Sequence, residues 1–160
     1  MSDVEPTADR VRTHLSTRTK ARKRALDILF EADLRGDDPA ATLAARTDAA
    51  DPPVRDYTAE LVTGVLRHRP EIDERITACM ARGWTLDRMP RVDRAAARIA
   101  LFEIDHSDIP DGVAVAEAVA LVSDLSTDES PAYLNGLLGA VLATKPGGSG
   151  NRDDRPARSA

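Results

Sequence analysis

The sequence predicts an all-α fold, and three observations carry that prediction. Ala, Arg and Leu are abundant in a chain of 160 residues that holds one Trp, two Tyr and two Phe. That composition favours helices packed through small residues over sheets of β-branched and aromatic strands. Apolar residues recur at helical spacing: Ala21, Ala25, Ile28, Leu29 and Ala32 fall at i, i+4, i+7, i+8 and i+11. Helix-start signals repeat as well, since Asp38-Pro39, Asp51-Pro52 and Ser130-Pro131 each join a capping side chain to a proline suited to a first turn. With 42% hydrophobic residues, the chain is long enough for one domain that buries about 70% of its unfolded surface.

Residues 1–17 are polar and poor in apolar side chains, and residues 145–160 read KPGGSGNRDDRPARSA. Both stretches are expected to be disordered tails around a folded domain spanning 18–144. Across the first boundary runs RVRTHLSTRTKARKR, with Arg10, Arg12, Arg18, Lys20, Arg22, Lys23 and Arg24 and no acidic residue. Seven positive charges thus sit in one segment of a chain whose net charge is −5. Such segregation suits a phosphate backbone, although a solvated basic tail has the same composition. From Arg18 onward the apolar stripe places the cluster on a helix, where positive charge near the N-terminus opposes the helix dipole by about 0.3–1 kcal/mol per charge. An arrangement with that cost suggests use. Gly36 ends the pattern as a C-terminal cap would.

A second helix is expected over Ala40–Ala49. A third follows Asp51-Pro52 and runs to about Arg69, with Val54, Tyr57, Leu61, Val65 and His68 along one stripe. Pro70 breaks the chain before a fourth helix bearing Ile72, Ile76, Cys79 and Met80, which Gly83 closes. After a turn at Trp84, Pro90 opens a long helix with Val92, Ala96, Ile99 and Phe102 as inner residues, the candidate central helix. There Arg98 and Glu103 are placed to pair with neighbouring helices, while Arg94 and Arg98, at i,i+4, form either part of such tethers or a basic strip. Asp111-Gly112 precede a sixth helix with Val115, Val119 and Val122. The last is expected to take Ser130 as N-cap and carries Tyr133, Leu134, Leu137, Leu138, Val141 and Leu142. Gly136 and Gly139 inside it each cost about 0.5–1 kcal/mol against alanine, which points to close contact with another backbone.

No glycine-rich phosphate loop, GxSxG elbow, HExxH helix or Cys/His pair occurs, and the carboxylates are spread over helical surfaces, so no enzyme and no cofactor is expected. Cys79 is the only cysteine and is read as a packed thiol. His14, His68 and His106 are scattered over different predicted elements, and no metal site is expected. Without a signal-peptide pattern or an apolar run near the roughly 18 residues of a membrane span, the expected compartment is the cytoplasm. The residues alone therefore lead to a helical binding module with a basic first helix, without a choice between RNA and DNA.

Three stretches go further. ARKRALDILFEAD (Ala21–Asp33), WTLDRMPRVDRAAARIALFEI (Trp84–Ile104) and IPDGVAVAEAVALVSDLSTDESPAYLNGLLGAVL (Ile109–Leu142) resemble, in order and spacing, the NusB family of transcription antitermination factors. The resemblance covers about Arg18 to Ala143 and includes the R-x-A-x-x-E block Arg98–Glu103 and the aromatic-x-N-G block Tyr133–Gly136. It implies about seven helices in two packed sub-bundles. It also implies binding of the boxA element of nascent ribosomal RNA together with NusE, a small-subunit ribosomal protein, within an antitermination complex with RNA polymerase.

Carried over by position, the family's RNA-binding segment falls on Arg18, Lys20, Arg22, Lys23 and Arg24, with Phe30 where a tyrosine is usual. Tyr133 and Asn135 match the motif near the RNA, where an exposed aromatic stacking on an unpaired base is worth roughly 1–3 kcal/mol. A core position for Tyr133 with its hydroxyl at the rim is the alternative. Asp87 and Asp93 fall where the family often has acids facing NusE. Asp27 replaces a common glutamine and puts a negative charge one turn from Lys23 and Arg24. The other function class is a protein-interaction scaffold whose basic helix docks an acidic partner. Ala-rich faces leave a homodimer open.

Overall fold

The computed structural model describes residues 7–145, and their side chains from residue 17. Expectations for residues 1–6 and 146–160 lie outside the described residues. Seven α-helices follow one another: α1 Thr7–Arg35, α2 Pro39–Ala49, α3 Asp56–Arg67, α4 Arg69–Cys79, α5 Arg91–His106, α6 Asp111–Leu125 and α7 Ser130–Ala143. A 3-10 turn, Leu86–Arg88, lies between α4 and α5, and no strand occurs among the described residues. α1 starts well before Arg18 and takes in residues 7–17, which composition assigns to a tail. No proline or glycine interrupts 7–17, so a helix anchored further along propagates back through it. At the other boundary, Lys145 Nζ is held 2.8 Å from Asp111 Oδ1.

α1, α2 and α3 pack on one another, α4, α6 and α7 form a second group, and α5 packs against both. A helix surrounded on all sides must bury all its faces, and α5 does so: Ala95, Ala96, Ala97, Ile99, Ala100, Leu101, Phe102 and Ile104 are all buried. Its alanines let the neighbours approach. α3 comes closest at Gly64, where a Cβ would stand 2.2 Å from Phe102 Cε2. Ile28, Leu61, Ile72, Ile76, Leu134 and Leu138 complete the core at 2% exposure or less. Each such side chain contributes about 1.5–3 kcal/mol relative to an exposed position. Cys79 is only half-buried, with its sulfur 3.8 Å from Thr144 Oγ1.

Local signals act as expected at Gly36, whose φ of +70° turns the chain so that Asp37 N–H reaches Ala32 O at 2.9 Å. Asp38 likewise accepts a hydrogen bond from Ala40 N–H at 3.0 Å and caps α2. Two expectations fail for stated reasons. Asp51-Pro52 starts no helix, because Pro53 follows and the residue before a proline is driven out of the α region; α3 begins at Asp56. Ser130 is not an N-cap. Its hydroxyl donates to Asp93 Oδ2 at 2.8 Å, and Glu129 holds the cap position. The α7 glycines also reverse the expectation of close packing: Gly136 and Gly139 are exposed, and a Cβ on either would meet nothing within 4 Å.

Candidate nucleic-acid interface

The basic residues of α1 divide between two sides of the helix. Lys20, Lys23, Arg24 and Asp27 recur at i, i+3, i+4 and i+7 and so share one strip. Lys20 and Lys23 are exposed and Arg24 is half-buried. Arg24 Nε is buried without a hydrogen-bond partner. Lys23 Nζ lies 4.0 Å from Asp27 Oδ2 in an exposed i,i+4 pair, a contact worth about 0.3–0.5 kcal/mol that draws off part of the strip's positive potential. Phe30, half-buried, stands one turn beyond Asp27.

Arg22 faces inward, contrary to the expectation that it reaches a phosphate. It is 2% exposed, and its Nε and Nη2 donate to Glu103 Oε1 and Oε2 at 2.9 and 2.8 Å. Its Nη1 stands 3.7 Å from Glu117, whose carboxylate also accepts from Thr19 Oγ1. The Tyr57 hydroxyl donates to Glu103 as well. Burial by itself would lower the Arg22 pKa, but the hydrogen bond and the charge of Glu103 hold it above its ordinary value. Burial, then the hydrogen bond to Glu103, push the Tyr57 phenol up. Arg22 therefore ties α1 to α3, α5 and α6 and fixes the angle at which the outer strip is presented. Arg18 is exposed, with its guanidinium 4.7 Å above the Tyr57 ring, a cation–π contact that leaves its outer edge free.

A second cluster forms where the starts of α5 and α7 meet. The Trp84 ring, 51% exposed, stands 6.1 Å from the half-buried Tyr133 ring at 43° and covers a hollow with Met89, Pro90 and Thr127. The Tyr133 hydroxyl is buried without a partner, and its pKa is raised by burial and then by the charge of Asp93. Asp93 does not face outward as expected for a protein contact. It is 2% exposed and accepts from Ser126 Oγ at 2.5 Å and Ser130 Oγ at 2.8 Å, joining α5 to the α6–α7 turn. Asp87, in the 3-10 turn, is exposed. Trp84 belongs to this cluster and escaped the sequence reading, because a lone aromatic in a turn has no period to mark it.

The fold does not gather all of these residues into one patch. Tyr133 and Asn135, at i and i+2, point to different sides of α7; Asn135 lines an open groove with Gly112, Ala116 and Val119 of α6. α1 and α5 run antiparallel, so Arg22 meets Glu103 late in α5, while Asp33 meets Arg94 early in it at 2.6 Å. Asp33 and the Trp84–Tyr133 hollow thus lie at one end of the molecule and Arg22 toward the other, about 16 Å apart along α1 at 1.5 Å per residue. Arg94 and Arg98 form tethers instead of a basic strip, to Asp33 and, at 2.8 Å, to Asp73. The fold also brings His68 and His106 into contact, their rings stacked 3.7 Å apart beside Glu71.

The model of a family described as the NusB family matches residues 19–143. Curated relatives called transcription antitermination protein NusB include one from Nocardioides sp. (strain ATCC BAA-499 / JS614), 51% identical over 82% of this chain and 98% of that protein. Another, from Acidothermus cellulolyticus, is 54% identical over 82% of this chain and 90% of that protein. The relative from Cutibacterium acnes is 51% identical over 90% of this chain, which spans about half, 53%, of that protein's length. Among solved structures, that of antitermination factors NusB and NusE in complex with dsRNA is similar with a TM-score of 0.67 and 28% identity, over 78% of this chain and 94% of that one. T. maritima NusB, 23% identical with a TM-score of 0.71 over 80% of this chain and 92% of that one, has the same fold.

Proposed function

The chain belongs to the NusB family, and from that premise we propose that it is a transcription antitermination factor that binds the boxA element of nascent ribosomal RNA together with NusE. On this reading it is non-catalytic, works in the cytoplasm and joins an antitermination complex with RNA polymerase. The observation that carries the RNA contact is the outer strip of α1, where Lys20 and Arg24 have no ion pair among the described residues, next to Lys23. These three and Arg18 contact phosphates. Phe30, and the Trp84–Tyr133 pair at the far end of α1, offer aromatic faces on which unpaired bases stack, and Asn135 lies on the neighbouring groove. Arg22 acts through α1 and not on the RNA. Asp87, exposed ahead of α5, faces NusE.

Titration of a labelled boxA RNA against the protein, with and without NusE, tests the reading. Four phosphate contacts give a slope of log K against log salt near −3, at about −0.7 per contact on a single strand. Replacing Lys20, Lys23 and Arg24 together by alanine flattens that slope by about 2. An unchanged slope removes the strip from the site, and binding of NusE with no RNA binding under any condition turns the protein into the scaffold.

A further inference from the structure

We propose that His68, Glu71 and His106 form a binding site for one divalent transition-metal ion of the zinc class, and that the ion staples the α3–α4 junction to the end of α5. His68 is the single residue between α3 and α4, Glu71 lies in the first turn of α4, and His106 is the last residue of α5. The α3–α4 junction thus delivers two donors at i,i+3, and the end of α5 delivers the third. Their donor atoms all lie within 4.8 Å of one another.

The donor atoms are already gathered near coordination spacing. One oxygen, Glu71 Oε2, lies 3.9 Å from His68 Nδ1 and 3.6 Å from His106 Nε2. Two ligand atoms about 2.05 Å from a tetrahedral metal lie about 3.3 Å apart, so each separation has only a few tenths of an ångström to close. The imidazoles stack at 3.7 Å with 10° between their planes. Each lone pair lies in its ring's plane, so binding one ion requires the two rings to splay out of this stack until both planes meet at the metal.

The surroundings hold some parts and free others. The histidines are part-buried at 28% and 22% side-chain exposure, and Phe102 stacks on both at 6.3 Å. Glu71 is 70% exposed and its carboxylate engages no Lys or Arg among the described residues, so it is free to swing inward. Its acidic neighbours are already engaged: Asp73 holds Arg98 and Asp105 holds Arg75. Two imidazoles and one carboxylate form a donor set suited to zinc, nickel or copper, and they leave a position for water. Neutral imidazole is the ligand form, so acid competes with the ion.

The test is isothermal titration of the untagged full chain with zinc chloride at neutral pH, together with cobalt(II) absorption as a geometric probe. The expected result is saturation at one equivalent, visible-band absorption of four-coordinate cobalt, and a rise in Tm that grows with zinc concentration. His106→Ala and Glu71→Gln should each weaken binding at least about tenfold, the lower range seen when even an outer partner of a metal ligand is lost. Two variants are used because loss of one stacked ring affects packing, and circular dichroism confirms that each is folded. Absence of saturable binding overturns the proposal, as does zinc binding of full strength in both folded variants.

Discussion

Arg22 and Lys23 are neighbours in sequence with opposite fates. Lys23 faces solvent, whereas Arg22 is closed off by Glu103, Tyr57 and Glu117. Removing one partner of a buried pair leaves the other charge unpaired and costs about 3–5 kcal/mol, so Arg22→Ala should lower the urea midpoint severely, while Lys23→Ala should stay within about 0.5 kcal/mol of the parent. RNA titration divides the two in the reverse sense once Arg22→Ala is compared at a temperature where it is folded: only the lysine variant changes the salt slope. Asp27→Gln, which releases Lys23 from its ion pair, should tighten RNA binding about twofold at low salt and lose that advantage as salt rises. Glycines make a similar contrast. Gly64→Ala forces a methyl into Phe102 and should cost about 1–3 kcal/mol, whereas Gly139→Ala, with open space around it, should raise stability by about 0.5–1 kcal/mol in thermal melts.

The helices themselves were legible, because their signals are local: the stripe of α1, the Gly36 turn and the Asp38 cap each depend on residues within a turn or two. What depends on a distant partner was not legible. Arg22 finds Glu103 and Asp93 finds Ser126 and Ser130 only after folding, so the resemblance alone points both outward. Lys20 and Lys23 differ, since their exposure follows from the apolar stripe of α1 alone. His68 and His106 show the same limit, since no spacing links the start of α4 to the end of α5. At the level of elements, α1 and α2 are clamped by Arg46 on Glu31, and α1 and α5 by Arg94 and Arg91 on Asp33. The hydrogen bond from Arg46 holds the Glu31 carboxyl below its ordinary 4.5. Burial would raise Asp33 above 3.8, but the hydrogen bond and charge of Arg94, with Arg91, bring it below. A carboxylate with a depressed folded-state pKa adds stability that is present above its unfolded value and lost as pH falls through the lowered one. Urea midpoints should therefore fall with acidity below about pH 4.5, and less steeply in Arg46→Ala, which has already lost the Glu31 share.

Across the whole molecule, α5 is shared by both helix groups, so the basic strip and the Trp84–Tyr133 hollow are fixed to one element at its opposite ends. Asp93 and Arg94 are adjacent residues that reach different ways, one to the start of α7 and the other to the end of α1. A ligand engaging both ends meets a rigid span and gives up little conformational freedom in doing so. No helix of the described residues is long and apolar enough to cross a membrane.

The bond from Arg22 to Glu103 also sets a schedule. It joins residues 81 positions apart, and at roughly 5–20 residues per second of synthesis that separation takes about 4–16 seconds to make. An isolated helix forms in about a microsecond. On a nascent chain, then, α1 can coil and uncoil many times with its inward guanidinium still hydrated, and the tie that fixes the basic strip against α5 forms only after the end of α5 has emerged.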